Sequence, residues 1–147
     1  MGKVLDFWFP NSKYQRFWFH SDERFDELVR EEFSELLNNL ENSDSLRSEW
    51  AKTARGCLAL VICFDQLSRH IYKDKRGDQS AFKYANLLVT ENFDLELPMH
   101  TRAFALMPFR HTHKECWLKF VITRVKGYNS DNKILKKFLA VTEEKLR

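Results

Sequence analysis

Asp65, Gln66, Arg69 and His70, four side chains able to carry charge or form strong hydrogen bonds, stand in one otherwise apolar run. It reads Cys-Leu-Ala-Leu-Val-Ile-Cys-Phe-Asp-Gln-Leu-Ser-Arg-His-Ile-Tyr from Cys57 to Tyr72. A second polar group, His111-Thr112-His113, follows Met107-Pro108-Phe109 and Arg110. Asp65 and Arg69 have the four-residue spacing at which a carboxylate and a guanidinium pair on a helix, for roughly a few tenths of a kcal/mol at a surface. On a buried helix the same charges must bond each other, a helix end or a ligand, because an unanswered buried charge is expensive. The planar fork of Arg69 suits a carboxylate or a phosphate. His111 and His113 fall where a helix N-terminus could receive an anion, and an imidazole there can act as general base or proton shuttle. Each group also has a purely structural reading, as an internal network or as a cap cluster that satisfies loop carbonyls. The expected ligand-binding residues are Asp65, Gln66, Arg69, His70, His111 and His113, with His111 and Asp65 the candidates for catalysis.

Other chemistries find no motif. His111-x-His113 has no Cys or acidic residue at a metal-site spacing, and nothing recruits His20 or His100, so no metal is expected. There is no GxGxxG, Walker loop or GxSxG, and no cofactor is expected.

The elements that must position these residues are helices. Four Gly and three Pro in 147 residues supply few tight turns. A helix that is apolar all round is one surrounded by others, which makes 57–72 the central element. Before it, Val4 to Phe9 and the aromatic residues Tyr14, Phe17, Trp18 and Phe19 read as a clasp on the domain. Ser21 is the expected cap of a helix over 22–40, whose Phe25, Leu28, Val29, Phe33, Leu36, Leu37 and Leu40 form one stripe. Leu46 and Trp50 suggest a further turn or two, and Thr53 caps the central helix. Gly56 near its start costs about 1 kcal/mol against Ala, which predicts a close approach by a neighbour. Asp78 is the expected cap of a helix carrying Phe82, Ala85, Leu88 and Val89, ended by Asn92. A short helix over 102–106 breaks at Met107, since Pro disfavours α geometry in the residue before it. Thr112 and Glu115 have capping-box spacing for a helix ended by Gly127, and Ser130 caps the last one. Short connections between these helices predict an all-α chain of antiparallel helix pairs, a bundle or a short solenoid, in a single domain over 1–147.

Composition bounds the rest. A 44% hydrophobic and 14% aromatic content is ample for a core. Neither a signal-peptide h-region nor an apolar span of membrane length is present, and the three cysteines make no CxxC pair, which predicts buried free thiols, no membrane association and a cytoplasmic location. The net charge of +3 is mild but unevenly placed. Glu and Asp crowd 22–35, whereas Lys and Arg load the C-terminal third, where Lys133, Lys136 and Lys137 are candidates for RNA contact.

Four ordered motifs, Val4-Leu5-Asp6-Phe7-Trp8-Phe9, Trp18-Phe19 with Phe25-Asp26, Phe64-Asp65-Gln66-Leu67-Ser68-Arg69-His70 and Met107-Pro108-Phe109-Arg110-His111-Thr112, together resemble the DUF924 family of uncharacterised, TPR-like helical proteins. The resemblance implies a TPR-like arrangement and directs attention to Asp65, Gln66, Arg69, Met107, Pro108, His111 and Thr112. It also marks the chain as a shortened and divergent member, with His113 and Tyr84 where carboxylates are expected. The functional reading is a binding module that recognises a peptide or small anionic ligand, with a protein partner also open, in a groove between the central helix and the 107–113 turn. The alternative is an enzyme using His111 as acid or base with Asp65 and Arg69. A second alternative is RNA binding through the basic C-terminal helices.

Overall fold

All 147 residues are described by a computed structural model in which eight helices and no strand carry the chain. They are α1 (Gly2–Trp8), α2 (Glu23–Glu41), α3 (Asp44–Trp50), α4, α5 (Asp78–Thr90), α6 (Arg102–His111), α7 (Glu115–Gly127) and α8 (Lys133–Leu146). The central run forms α4 from three joined parts: Ala54–Val61, a π-helical stretch Ile62–Leu67, and Ser68–Tyr72. Neighbours in sequence pack side by side across short connections, α4 on α5, α5 on α6, α6 on α7 and α7 on α8, while α2 and α3 cover the other flank of α4. Every helix contributes to one core of 35 buried residues, so the helix pairs form a bundle. The aromatic clasp is real. Trp8, Phe9, Trp18 and Phe19 all pack against Phe104 of α6.

Caps decide where several helices begin, and some differ from the sequence reading. Thr53 does cap α4, its hydroxyl accepting the Gly56 N–H at 3.0 Å. Asp22 rather than Ser21 opens α2, accepting the Phe25 N–H at 3.0 Å; its carboxylate also favours the positive end of the helix dipole. Asn132 rather than Ser130 opens α8, accepting from Ile134 and Leu135, while the Ser130 hydroxyl holds the Asn132 N–H. The Thr112 capping box does not form, because the hydroxyl instead donates back to the Phe109 carbonyl at 2.7 Å. Asp78 lies in the first turn of α5 without capping it.

The largest departure is at Pro108, which sits inside α6 instead of ending it. A proline in a helix interior loses one backbone bond and costs about 3 kcal/mol. α6 offsets this by burial on all sides, every residue from Thr101 to Arg110 being buried. Of the thiols, Cys57 and Cys63 are buried and Cys116 is exposed. Burial pushes both buried thiols up to about 12, which leaves them protonated and inert at neutral pH.

Asp26 ties α2 to the exit of α4. Its buried carboxylate receives a 2.7 Å contact from His70 Nδ1 and a hydrogen bond from the Lys73 ammonium. Burial pulls this carboxyl up, but the bonds from Lys73 and His70 outweigh it and the net shift is downward. A carboxylate held below its unfolded value stabilises the fold at every pH above that value, about 3.9, and loses the contribution as pH falls through the folded one.

Two outcomes follow. A Cβ at Gly56 would lie 1.8 Å from the Trp50 carbonyl oxygen. Gly56→Ala therefore destabilises by about 3 kcal/mol or more through overpacking against backbone, the reverse of its propensity gain, and urea unfolding reads the sign. Asp26→Asn costs roughly 3 kcal/mol near neutral pH through lost charge-assisted bonds. In denaturation series at stepped pH, the gap from the parent protein stays constant above about pH 5 and narrows below about pH 4; a gap independent of pH would contradict this account of Asp26.

Candidate functional site

The π-helical stretch of α4 sets the direction of its polar groups. There the Ser68 N–H reaches back five residues to the Cys63 carbonyl, widening the turn that carries Asp65 and Gln66. Such widened turns are frequent at functional sites. Asp65 is 1% exposed, and its two oxygens are answered separately. His111 Nδ1, at the C-terminal end of α6, lies 2.7 Å from Oδ1, and the Gln66 amide donates to Oδ2 at 2.7 Å. The His111 side chain keeps 24% of its surface, and its Nε2 makes no hydrogen bond within the protein. The result is a buried carboxylate orienting an imidazole whose second nitrogen is free, an arrangement that can move a proton.

The other expected residues are drawn elsewhere. Arg69 does not pair with Asp65; its Nη2 meets both oxygens of Asp78 at 3.0 Å, and its buried Nε has no partner. The reason is the wider π turn, which leaves Asp65 aimed at α6 while Arg69 faces the start of α5. His70 belongs to the Asp26 knot described above. His113 is exposed and adopts a left-handed φ of 58°, so it terminates the helix and lines no site. None of the five principal cavities is lined by Asp65, Gln66, Arg69, His70, His111 or His113. Lys133, Lys136 and Lys137 are all exposed but border three different depressions. Nowhere do three His, Cys, Asp or Glu side chains converge as a metal site requires. No helix is long and apolar enough to cross a membrane.

A cavity of about 390 Å³ lies one residue away from His111 in sequence, between the 14–20 segment, α6 and α8. Its walls include Tyr14, Phe19, Phe104, Met107, Ile134 and Phe138, and its ionisable lining groups are His20, Arg110, Lys137 and Lys145, with no carboxylate. Tyr14, Phe19 and Val141, which border it, are among the few large apolar side chains left exposed. Arg110 is only 8% exposed. Its guanidinium lies 4.5 Å from the centre of the Phe138 ring and donates one bond, at 3.4 Å, to the Phe138 carbonyl. Burial pushes Arg110 down to about 10 against the opposing pull of Asp65, so it remains a cation at neutral pH with no carboxylate in ion-pair contact. Sequence reasoning missed Arg110 because a helix break at Met107 would have placed it in a solvated turn. The signal lay in its position at the end of the apolar run from Ala103 to Phe109.

Consecutive residues of α6 thus serve two places, Arg110 the cavity and His111 the Asp65 carboxylate. Among curated proteins none matches the chain. In structure it is similar to a protein of unknown function from Agrobacterium tumefaciens, with a TM-score of 0.81 at 19% identity over 99% of this chain and 79% of that one. Residues 4–146, which include the Asp65-Gln66 and Met107–His111 stretches, match the family described as bacterial proteins of unknown function, DUF924, and the chain belongs to that family.

Proposed function

We propose that this protein binds a small anionic ligand with an apolar body in the cavity between the 14–20 segment, α6 and α8. The observation that carries the reading is Arg110, a buried guanidinium with one weak bond and no carboxylate against it. A buried charge without a counter-charge is costly, and an anion in the cavity would relieve that cost. Lys137 and Lys145 add favourable field without competing acids, and the His20 imidazole adds a hydrogen-bonding group to the wall. The aromatic and aliphatic walls would take an apolar body, as ligand sites commonly do. Relative to the groove expected from sequence, the ligand sits on the other side of α6, with Arg110 in the part first given to Arg69.

Decanoate titrated into the protein, followed by calorimetry and by fluorescence of Trp18, which abuts Tyr14 and Phe104, tests this. Saturable binding is expected, and Arg110→Gln weakens it by about tenfold or more, the loss of a charge-assisted bond. Arg110→Lys retains charge and controls for folding. No saturation, or equal affinity in Arg110→Gln, would overturn the reading.

A second reading rests on the Asp65–His111 pair, in which His111 acts as acid or base through its free Nε2. Under it, p-nitrophenyl acetate is turned over faster than by free imidazole, and His111→Ala abolishes the excess. Unchanged turnover in that variant sinks the catalytic reading and leaves ligand binding through Arg110 intact.

A further inference from the structure

We infer that the Arg110 cavity is one half of a longer site, and that its ligand carries an anionic group at each end of an apolar body. The inference rests on the reading of Arg110 as head-group anchor and adds a second anchor. A neighbouring depression of about 300 Å³ is lined by Ser12, Lys13 and Asn132 together with Lys133, and it shares Tyr14 and Ile134 with the first cavity. Those two apolar side chains form the ridge between the compartments. No Asp or Glu lines either compartment, and neither Lys13 nor Lys133 is in an ion pair.

The layout sets the ligand's shape. Lys133 opens α8, and Phe138, the ring beneath Arg110, lies five residues further along it, an axial offset of about 7.5 Å. Between them the ammonium of Lys137 lies 4.9 Å from the centre of the exposed Tyr14 ring. A ligand spanning this distance crosses the ridge with its chain against Tyr14 and Ile134. A monoanion held by Arg110 leaves Lys13 and Lys133 unanswered. A small hydrophilic dianion reaches one end only and gains nothing from the ridge. A linear molecule with two acidic ends, whether a dicarboxylate or a phosphorylated acid, meets basic groups in both compartments and buries its chain between them.

Calorimetry comparing decanoate with decanedioate tests this, with propanedioate and decyl phosphate as further probes and a Lys13→Gln/Lys133→Gln double variant alongside the parent protein. Decanedioate is expected to bind about fivefold to tenfold tighter than decanoate, the yield of two partly solvated ion pairs. That advantage shrinks at high salt and disappears in the double variant, in which the affinity for decanoate is unchanged. Propanedioate, too short to reach both ends, shows no such dependence on the lysines. Decyl phosphate, anionic at one end only, is likewise indifferent to the double variant. If decanedioate binds no tighter than decanoate, or keeps its advantage without the two lysines, the second anchor is overturned while decanoate binding through Arg110 stands. If neither acid binds, both inferences fall together.

Discussion

Desolvation of charge governs how the two most buried helices are placed. α4 and α6 carry ionisable groups into a core where each must be answered by a partner. Asp65 of α4 is answered by His111 of α6, and Arg69 of α4 by Asp78 of α5. On the far side Asp94, fully buried, is held by Arg124 of α7 and by Tyr128 just past the end of that helix. Each pair joins different elements, so the ion pairs fix which helix faces which as well as lowering the cost of burial. The apolar core supplies the gross driving force but is tolerant of rotation; these directional bonds are not. The two buried arginines of α6 have no carboxylate partner: Arg102 is answered by the Leu97 and Leu95 carbonyls and the Tyr128 ring, whereas Arg110 has one long bond to a carbonyl and a ring of α8.

Two departures from ideal helix geometry make that arrangement possible. The π-helical stretch widens α4 at Ile62–Leu67 and changes the angular offset between Asp65 and Arg69, so that residues four apart serve different neighbours. Its Phe64 carbonyl lies where a Cβ on Gly77 would clash, so α5 also begins close against this stretch. Pro108 costs α6 a backbone bond, yet α6 continues for three residues beyond it and so delivers Arg110 and His111 as the last residues of a rigid element. Rigid elements place side chains more accurately than loops do.

The architecture was legible in the sequence because it follows from periodicity. The stripe from Phe25 to Leu40, the apolar run of α4 and the caps at Thr53 and Asn92 need only local information. Two of the expected site residues, Asp65 and His111, do meet, and the resemblance motifs contain both. What local information could not carry was direction. The i, i+4 rule that pairs Asp65 with Arg69 assumes a uniform α-helix, and no residue type in Ile62–Leu67 announces a π turn. The proline rule at Met107 is a local penalty, and it was outweighed by burial that only the tertiary structure supplies. Cap choice at Asp22 and Asn132 depends on where the first helical turn starts, one residue beyond Ser21 and two beyond Ser130, which the neighbouring capping residue types do not reveal. The cavity was beyond reach for a different reason: Tyr14, Arg110 and Lys137 are far apart in sequence, and their meeting depends on α8 folding back over the N-terminal segment.

The position of Asp65 behind Arg110 gives the cavity its character. Burial disfavours the guanidinium charge, and the Asp65 carboxylate partly offsets that from a distance while its own oxygens are taken by His111 and Gln66. Were Asp65 in direct contact with Arg110, the pair would neutralise itself and an incoming anion would have to break it. Were Asp65 absent, the buried cation would be harder to sustain. Out of contact, the carboxylate favours the charged form of Arg110 without occupying its hydrogen-bond donors. The same carboxylate touches His111 directly at Oδ1 and reaches Arg110 only through space, so the two consecutive residues of α6 share one buried charge while their side chains have different partners.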